Sequence, residues 1–476
     1  MTVPRSKSGA LRRVSWLALA LATAACSGPQ LAPPEHAVPV PSGWAETSAE
    51  PVPLDVARYW RLLDDPALTE LVEAALVNNL DLAQSSARLA QARAQLAGAR
   101  AGYMPQVSAS GRAQQDLLDN SASDPLVTLG GDVGWELDLF GRIGAGVSAS
   151  EADLAAAGYS LADLQRLIAG QVALATINAR STSLQLAIAR DTLGYQDENL
   201  QIARWRVQAG LVSSLDMEQA RSQRAQTAAS IPLLESNLAA TANAISTLIG
   251  EPPGRVLALL ETPVAIPSPP DIAGFEAPAE VLRRRPDVRS AEASLVASMA
   301  RIDVARAQIL PGIQLGGTIG TSSRGLGSLF DVITGGVFGS LSQLIFDGGR
   351  AGAQIDTARA AADGALAAWR QSILGALEDV ETAAVDLEKA NERIAIQAEA
   401  LDAANNSAIL ARSQYQAGLT DFRNLLTSES QLLSARNAEV GVEADRASSF
   451  VRLTQALGGG WSPVEYPLPV REGANP

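Results

Sequence analysis

Hydrophobic side chains in this chain follow two different periods, and the two periods abut. In 126–139, Val127, Leu129, Val133, Trp135, Leu137 and Leu139 take alternate places. Thr128, Asp132, Glu136 and Asp138 oppose them, with glycines at 130, 131 and 134. Such alternation predicts a strand with one apolar and one polar face. Residues 312–322 read the same way, Ile313, Leu315, Ile319 and Thr321 opposing Gln314, Thr318 and Ser322. The stretches 335–346 and 106–117 alternate less cleanly. After "FGR" (140–142) and "GGR" (348–350) the period changes. Leu154, Leu161, Ile168 and Ala175 recur every seven residues, as do Leu366, Ile373, Val380, Leu387, Ile394 and Leu401. Sustained sevens predict helices packed as coiled coils.

The whole plan occurs twice. Helical sequence starting at Asp81 and at Asp287 reaches a proline 24 residues later (Pro105, Pro311), and strand-like sequence follows. From the two arginines, "QAGL" comes 66 residues on (208–211 and 416–419), and "LIG" (248–250) and "ALG" (456–458) keep the offset of 208. An ungapped offset of that extent points to a duplicated half containing a rigid element of fixed length. Each half comprises a shorter helix (80–103 and 286–309), a strand pair (106–139 and 312–346) and a helical hairpin turning at QAGL (143–249 and 350–457). The ascending helix of each hairpin, at roughly 65 residues, is about 100 Å long.

Segments of about ten residues with one greasy and one polar face suit a membrane β-barrel; an amphipathic sheet over a soluble core is the alternative for any one strand. Four strands cannot close a barrel, for which about eight is the minimum, and lipid tolerates no open edge. Spanning strands therefore require several chains to share one barrel, and three chains would supply twelve strands.

Composition narrows the chemistry. Apolar residues make up 47% and aromatics only 4%, with a formal charge of −14, which argues against nucleic acid as the main partner. One cysteine (Cys26) and one histidine (His36) leave no intrachain disulfide, no Cys/His metal site and no serine–histidine or cysteine–histidine pair. Arg5, Lys7, Arg12 and Arg13 precede "VSWLALALATAA", which reads as an export signal over 1–25. Its removal would leave a mature charge near −18. No later run of about 20 apolar residues suggests a membrane helix.

Together, "WELDLFGR" (135–142), "FDGGR" (346–350), the helix–proline–strand modules, the paired QAGL turns and "TAAC" ending at Cys26 resemble the TolC-like outer-membrane factors. The branch they are most similar to is the lipoprotein efflux channels called the NodT type. The resemblance covers nearly everything from Cys26 to about Gly460. It implies a mainly α protein with membrane β, in which a homotrimer shares a 12-stranded barrel above an α-helical coiled-coil tunnel. It implies an outer-membrane efflux channel, not an enzyme, conducting small molecules passively without a cofactor. Partners would be a periplasmic adaptor at the helical tips, an inner-membrane transporter of the resistance–nodulation–division class and outer-membrane lipid held through Cys26, with no nucleic acid.

The implied layout is a lipid-anchored extended segment (26–64), short helices (65–105), a membrane hairpin (106–139) and a long helical hairpin (140–250). A Pro-rich equatorial linker (251–280) leads to the second copy (281–311, 312–347 and 348–458) and an equatorial tail (459–476). Docking tips fall at Gly210, Leu211, Gly418 and Leu419. Gate candidates are Asp216, Tyr415, Asp421, Arg423 and Thr427, the last standing where the family commonly has aspartate. Asp216 and Asp421 read equally as caps of the returning helices. The loop "SSRGLGSLFD" (322–331) would face outward. Two rivals are a soluble coiled-coil protein, which leaves the strands unused, and a carboxylate-based periplasmic hydrolase, which predicts a compact particle.

Overall fold

The computed structural model describes residues 38–45, 55–115, 125–270, 272, 274 and 276–462. The export signal, Cys26 and the end of the C-terminal tail lie outside the described residues. A 3-10 segment, Val56–Leu63, leads to α1 (Pro66–Asn78) and α2 (Leu80–Ala101). Strands β1 (Gln106–Gln114) and β2 (Leu126–Leu137) follow, then α3 (Arg142–Gln208), α4 (Ser214–Leu248) and α5 (Arg255–Leu260). The second half runs α6 (Pro278–Arg284), α7 (Pro286–Ala307), β3 (Gly312–Arg324), β4 (Ile333–Ser342), α8 (Arg350–Gln416) and α9 (Phe422–Ala456). The repeat is borne out. Helices α2 and α7 have 22 residues each, α3 and α8 have 67, and α4 and α9 have 35.

The sevens become a packing seam. Along α8, Trp369, Ile373, Ala376, Val380, Ala383, Leu387 and Ala390 are buried, alternating steps of four and three residues. That stepping keeps one narrow stripe facing a neighbour. Alanine in every second place lets helix axes approach closely, which explains a helical protein with so few aromatics. The main core lies where both hairpins meet the short helices. Tyr59, Trp60 and Leu63 pack there with Leu68, Leu71 and Val72 of α1, Ile177 of α3, Ile245 of α4 and Phe450 of α9.

Several expected boundaries move. The stretch 56–63 is a 3-10 helix because Tyr59, Trp60 and Leu63 must all reach the core, so 26–64 is not wholly extended. The Pro-rich linker contains α5, whose Val256 and Leu260 are fully buried. The strand pairs end at Leu137 and Ser342 and not at 139 and 346. Chemistry at the strand–helix switch explains that last difference. Asp138 turns back to accept from the backbone N–H of Ile143 (3.0 Å) and Gly144 (2.7 Å). Asp347 accepts from Gly349 (3.0 Å) and Ala351 (2.7 Å). Gly141 (φ 73°) and Gly349 (φ 90°) supply the left-handed residue before each helix. Each carboxylate satisfies N–H groups that the first helical turn cannot, and favours the positive end of the helix dipole. Leu139, Ile345 and Phe346 consequently lie in the connection.

Both hairpins are tied to the short helices through charged groups, and hairpin α3–α4 through a neutral one as well. Arg180 of α3 pairs with Asp65, the cap of α1, at 3.2 Å. Asn79 caps α2 and donates to the Leu248 carbonyl at 2.8 Å. In the second half, Arg284 donates to the Leu457 carbonyl (2.6 Å) and Arg285 to that of Ala456 (3.0 Å). The Arg285 side chain is 2% exposed and pairs with Asp287 (2.7 Å) and Asp379 (2.8 Å). Burial alone would raise the Asp287 carboxyl; the hydrogen bond and charge of Arg285 overcome it and hold the group below the usual carboxylate range.

Candidate functional site

The sheet is a single antiparallel ribbon in chain order, β1–β2–β3–β4. Its register shows what each face carries, because directly paired residues share a face. Val107 pairs with Val133, which pairs with Gly317 and so with Val337; Trp135 pairs with Leu315; Thr321 pairs with Leu129 and Ile333. This face is apolar and open, Val107 being 78% and Val337 91% exposed. The other face carries Ser108, Asp132, Thr318 and Gly336 on one rung and Arg112, Thr128 and Ser322 on another. The loop end departs slightly from the expected 322–331: β3 continues through Arg324 and a 3-10 turn spans Leu326–Ser328. There Thr321 Oγ1 donates to the Leu329 carbonyl.

β1 and β4 are the ribbon's edges, and every residue of both is exposed within one chain. An apolar face and two unpaired edges cannot both persist in water or in lipid. At the inner end, Tyr103, Trp135, Phe140 and Phe346 stay at least 38% exposed, a belt of aromatics at the level where a membrane boundary requires one. Trp135 Nε1 donates to the Tyr103 carbonyl at 2.9 Å. Among the described residues no helix is long and apolar enough to cross a membrane, so the sheet is the candidate spanning element.

At the far end the two turns are built alike. Leu211 N–H bonds to the Arg206 carbonyl and Leu419 N–H to that of Gln414, both at 2.9 Å. Gly210 (φ 69°) and Gly418 (φ 72°) make the reversal, a glycine C-cap arrangement. Leu211 (73%) and Leu419 (79%) project into solvent. The caps of the returning helices differ. Asp421 Oδ1 accepts from Asn424 N–H at 2.8 Å and is the cap of α9. Asp216 is not a cap: Ser213 accepts from Leu215 N–H at 3.2 Å, and Asp216 follows in the first turn.

Tyr415 lies inside the tip at 4% exposure, packed on Phe422 with ring centroids 5.3 Å apart. Arg206 of α3 stacks over the Tyr415 ring at 4.2 Å and donates to its carbonyl at 3.2 Å. Thr427 bonds its own helix through the Arg423 carbonyl. Arg423 and Thr427 line a shallow groove between α4 and α9 with Gln219, Ser222, Gln223 and Leu426. The structure thus brings Tyr415 to Arg206 and Arg423 to Thr427, and uses Asp421 in a cap.

The sequence reading missed a second tie between the hairpins. Glu429 accepts from Asn199 of α3 (2.7 Å) and pairs with Arg412 of α8 (3.2 Å). Arg412 in turn stacks on Tyr195 of α3 at 5.3 Å. A carboxylate seven residues from Phe422 and four from Leu425, on the buried stripe of α9, was the available signal.

Comparison with known proteins agrees with this geometry. The family model described as outer membrane efflux protein matches residues 71–251 and 277–459, one match to each repeat. Nodulation protein T of Rhizobium leguminosarum bv. trifolii is 29% identical over 92% of this chain and 95% of its own length. The toluene efflux pump outer membrane protein TtgI of Pseudomonas putida is 31% identical over 84% of this chain and 86% of its own. Among solved structures, the outer-membrane channel OprN is 32% identical, with a TM-score of 0.81, covering 91% of this chain and 100% of that one. The CmeC outer membrane channel of Campylobacter jejuni, at 21% identity and a TM-score of 0.83, shares the fold. A four-stranded ribbon continuing into long paired helices is the architecture this chain has in common with the OprN channel. The chain belongs to the outer membrane efflux protein family, and it is the outer-membrane channel component of an efflux system.

Proposed function

We propose that three copies form a passive conduit for small molecules, fed by an inner-membrane pump through a periplasmic adaptor, and that the chain transforms nothing it carries. The observation that carries this reading is the ribbon with one apolar face and two open edges, running through capped switches into helices of 67 residues. Closure with two further copies hides both edges and leaves the polar face around water. The test is extraction: the protein should leave outer membranes only in detergent, as a trimer that dissociates on heating. A freely soluble monomer overturns the reading.

Gly210, Leu211, Gly418 and Leu419 are read as the adaptor-docking tips, where two exposed leucines per chain give an apolar contact. Cysteines introduced beside Gly210 and Gly418 should crosslink to an adaptor in cells. Tyr415, Arg423 and Thr427, with Asp216 and Asp421, are read as the gate region. Tyr415 acts there through the Arg206 stack that fixes hairpin α8–α9 against hairpin α3–α4. Tyr415→Ala and Arg423→Ser should each raise single-channel conductance; unchanged conductance in both rejects the assignment.

Cys26 is read as a lipid anchor. Val38 packs beside Val288 and Trp369, and Trp369 lies 19 residues below the start of α8, about 28 Å at 1.5 Å per residue. The 12 residues from Cys26 to Val38 span at most about 40 Å, enough to regain the bilayer. Globomycin-sensitive processing and loss of labelled palmitate in Cys26→Ala would test it.

A further inference from the structure

The polar face of the ribbon, the face left to the lumen, is made of Ser, Thr, Gln, Gly and a few charges, with one interruption. Phe338 of β4 stands on that face, since it pairs with Gly316, which pairs with Gly134. Between Leu126 at the outer end and the inner end of the described strands it is the one large apolar side chain there. Its position is built. The ring lies across Gly316, so that any side chain at 316 would run into Cζ and Cε2 of the ring. Gly134 keeps the next place on the same rung bare. The ring is therefore pressed against the wall by one face, while the residue remains 51% exposed. It offers a π-face to the lumen without projecting far into it.

The nearest lumenal charge without a partner is acidic. Asp132 occupies the adjoining outward rung, paired through Thr318 with Gly336, two residues from Phe338 along β4. One rung inward, Glu136 is already neutralised by Arg142, with bonds of 2.9 and 2.6 Å. Among the described residues Asp132 has no cation. Arg112 and Arg324 stand further out: the Arg112 rung is four residues beyond that of Asp132, about 14 Å at 3.4 Å per residue. Two strand spacings, about 9.6 Å, and two residues along the strand, about 7 Å, put Asp132 about 12 Å from Phe338 in the ribbon. A cation with aromatic or other apolar surface fits that spacing, with its apolar part on the ring and its charge toward the carboxylate.

We propose that Phe338 and Asp132 form a cargo-contact site in the barrel lumen for bulky organic cations, present three times in the trimer. The site rests on the channel reading above. It biases which solutes leave fastest and does not close the pore.

Photolabelling of the purified trimer tests this without requiring an open tip. The probe is a triphenylphosphonium bearing an aryl azide, with tetraphenylphosphonium as competitor and a neutral aryl azide as control. Competable adducts are expected on the β3 and β4 peptides around 316 and 338. Phe338→Ser and Asp132→Asn should each reduce them at least about threefold, as loss of a cation–π or charge contact would. Phe338→Leu keeps an apolar cover over Gly316 and should still lower labelling. It also serves if the serine variant fails to assemble. Equal labelling in Phe338→Leu and the parent, or equal labelling by the neutral azide, overturns the proposal. Failure of the parent to form heat-dissociable trimers would instead overturn the channel reading.

Discussion

At the scale of single residues, the decisive groups finish backbone hydrogen bonds. Arg285 is buried, yet every direction it faces offers a carbonyl or a carboxylate: Ala456, Asp287 and Asp379. Replacing it by leucine leaves Asp287 half-buried without its cation and takes from the Ala456 carbonyl its side-chain donor. Loss of one partner of a buried pair costs about 3–5 kcal/mol, so Arg285→Leu should lower the trimer's melting temperature by several degrees. The pH dependence follows from the depressed Asp287 carboxyl. A group more acidic in the folded than the unfolded state stabilises above the unfolded pKa, and that stability is lost as pH falls through the folded value. Melting measured from pH 7 down to pH 3 should show the parent's advantage over Asp287→Asn shrinking in acid. The sequence displayed "RRPDV" (284–288) without revealing this, because the carbonyls concerned come from residues more than 170 positions away.

At the scale of elements, strands and helices were legible because each carries its period over many residues. What sequence could not show was where one stops. The alternation of Leu137 and Leu139 continues past the end of β2, and the apolar run Leu344, Ile345 and Phe346 follows β4, since apolar side chains are also wanted at the membrane boundary. Only the caps by Asp138 and Asp347 set the switch. The tips were read from QAGL, but the clamp of Arg206 on Tyr415 joins residues 209 apart and has no local signature. A glycine at the turn and a glycine in the wall of a helix should behave differently. Gly418→Ala meets no neighbour but must hold φ near 72°. A left-handed residue with a Cβ costs about 1–2 kcal/mol, so hydrogen exchange should quicken at the tip while the trimer melts as before. Gly170→Ala instead strikes the amide of Gln455, which donates to the Arg166 carbonyl at 2.8 Å. That change should lower melting of the whole trimer.

At the scale of the molecule, four strands that cannot close alone set the assembly. The face assignment makes a paired prediction. Val337→Arg places a cation toward lipid, which costs about 2–4 kcal/mol near mid-membrane, and should deplete trimers from the outer membrane. Ser340→Arg, three residues on and toward the lumen, should leave trimer yield near that of the parent. Equal depletion by both would reject the face assignment, and depletion by Ser340→Arg alone would reverse it. The need for partner chains was legible from strand count alone. The cross-ties at Glu429 and Arg206 were not, because they depend on how the hairpins of one subunit lie against each other.

The matched helix lengths of the two repeats carry a consequence for how such a chain can change. Every residue inserted into a helix advances all that follows by about 1.5 Å and turns it by about 100°. A single insertion in α8 would push one turn of the subunit deeper than its twin and swing its buried stripe away from α9, at three places around the ring at once. Point substitution along these shafts is cheap and any change of length is not. Viable insertions in one hairpin should therefore come as whole sevens, matched by the same number in the other.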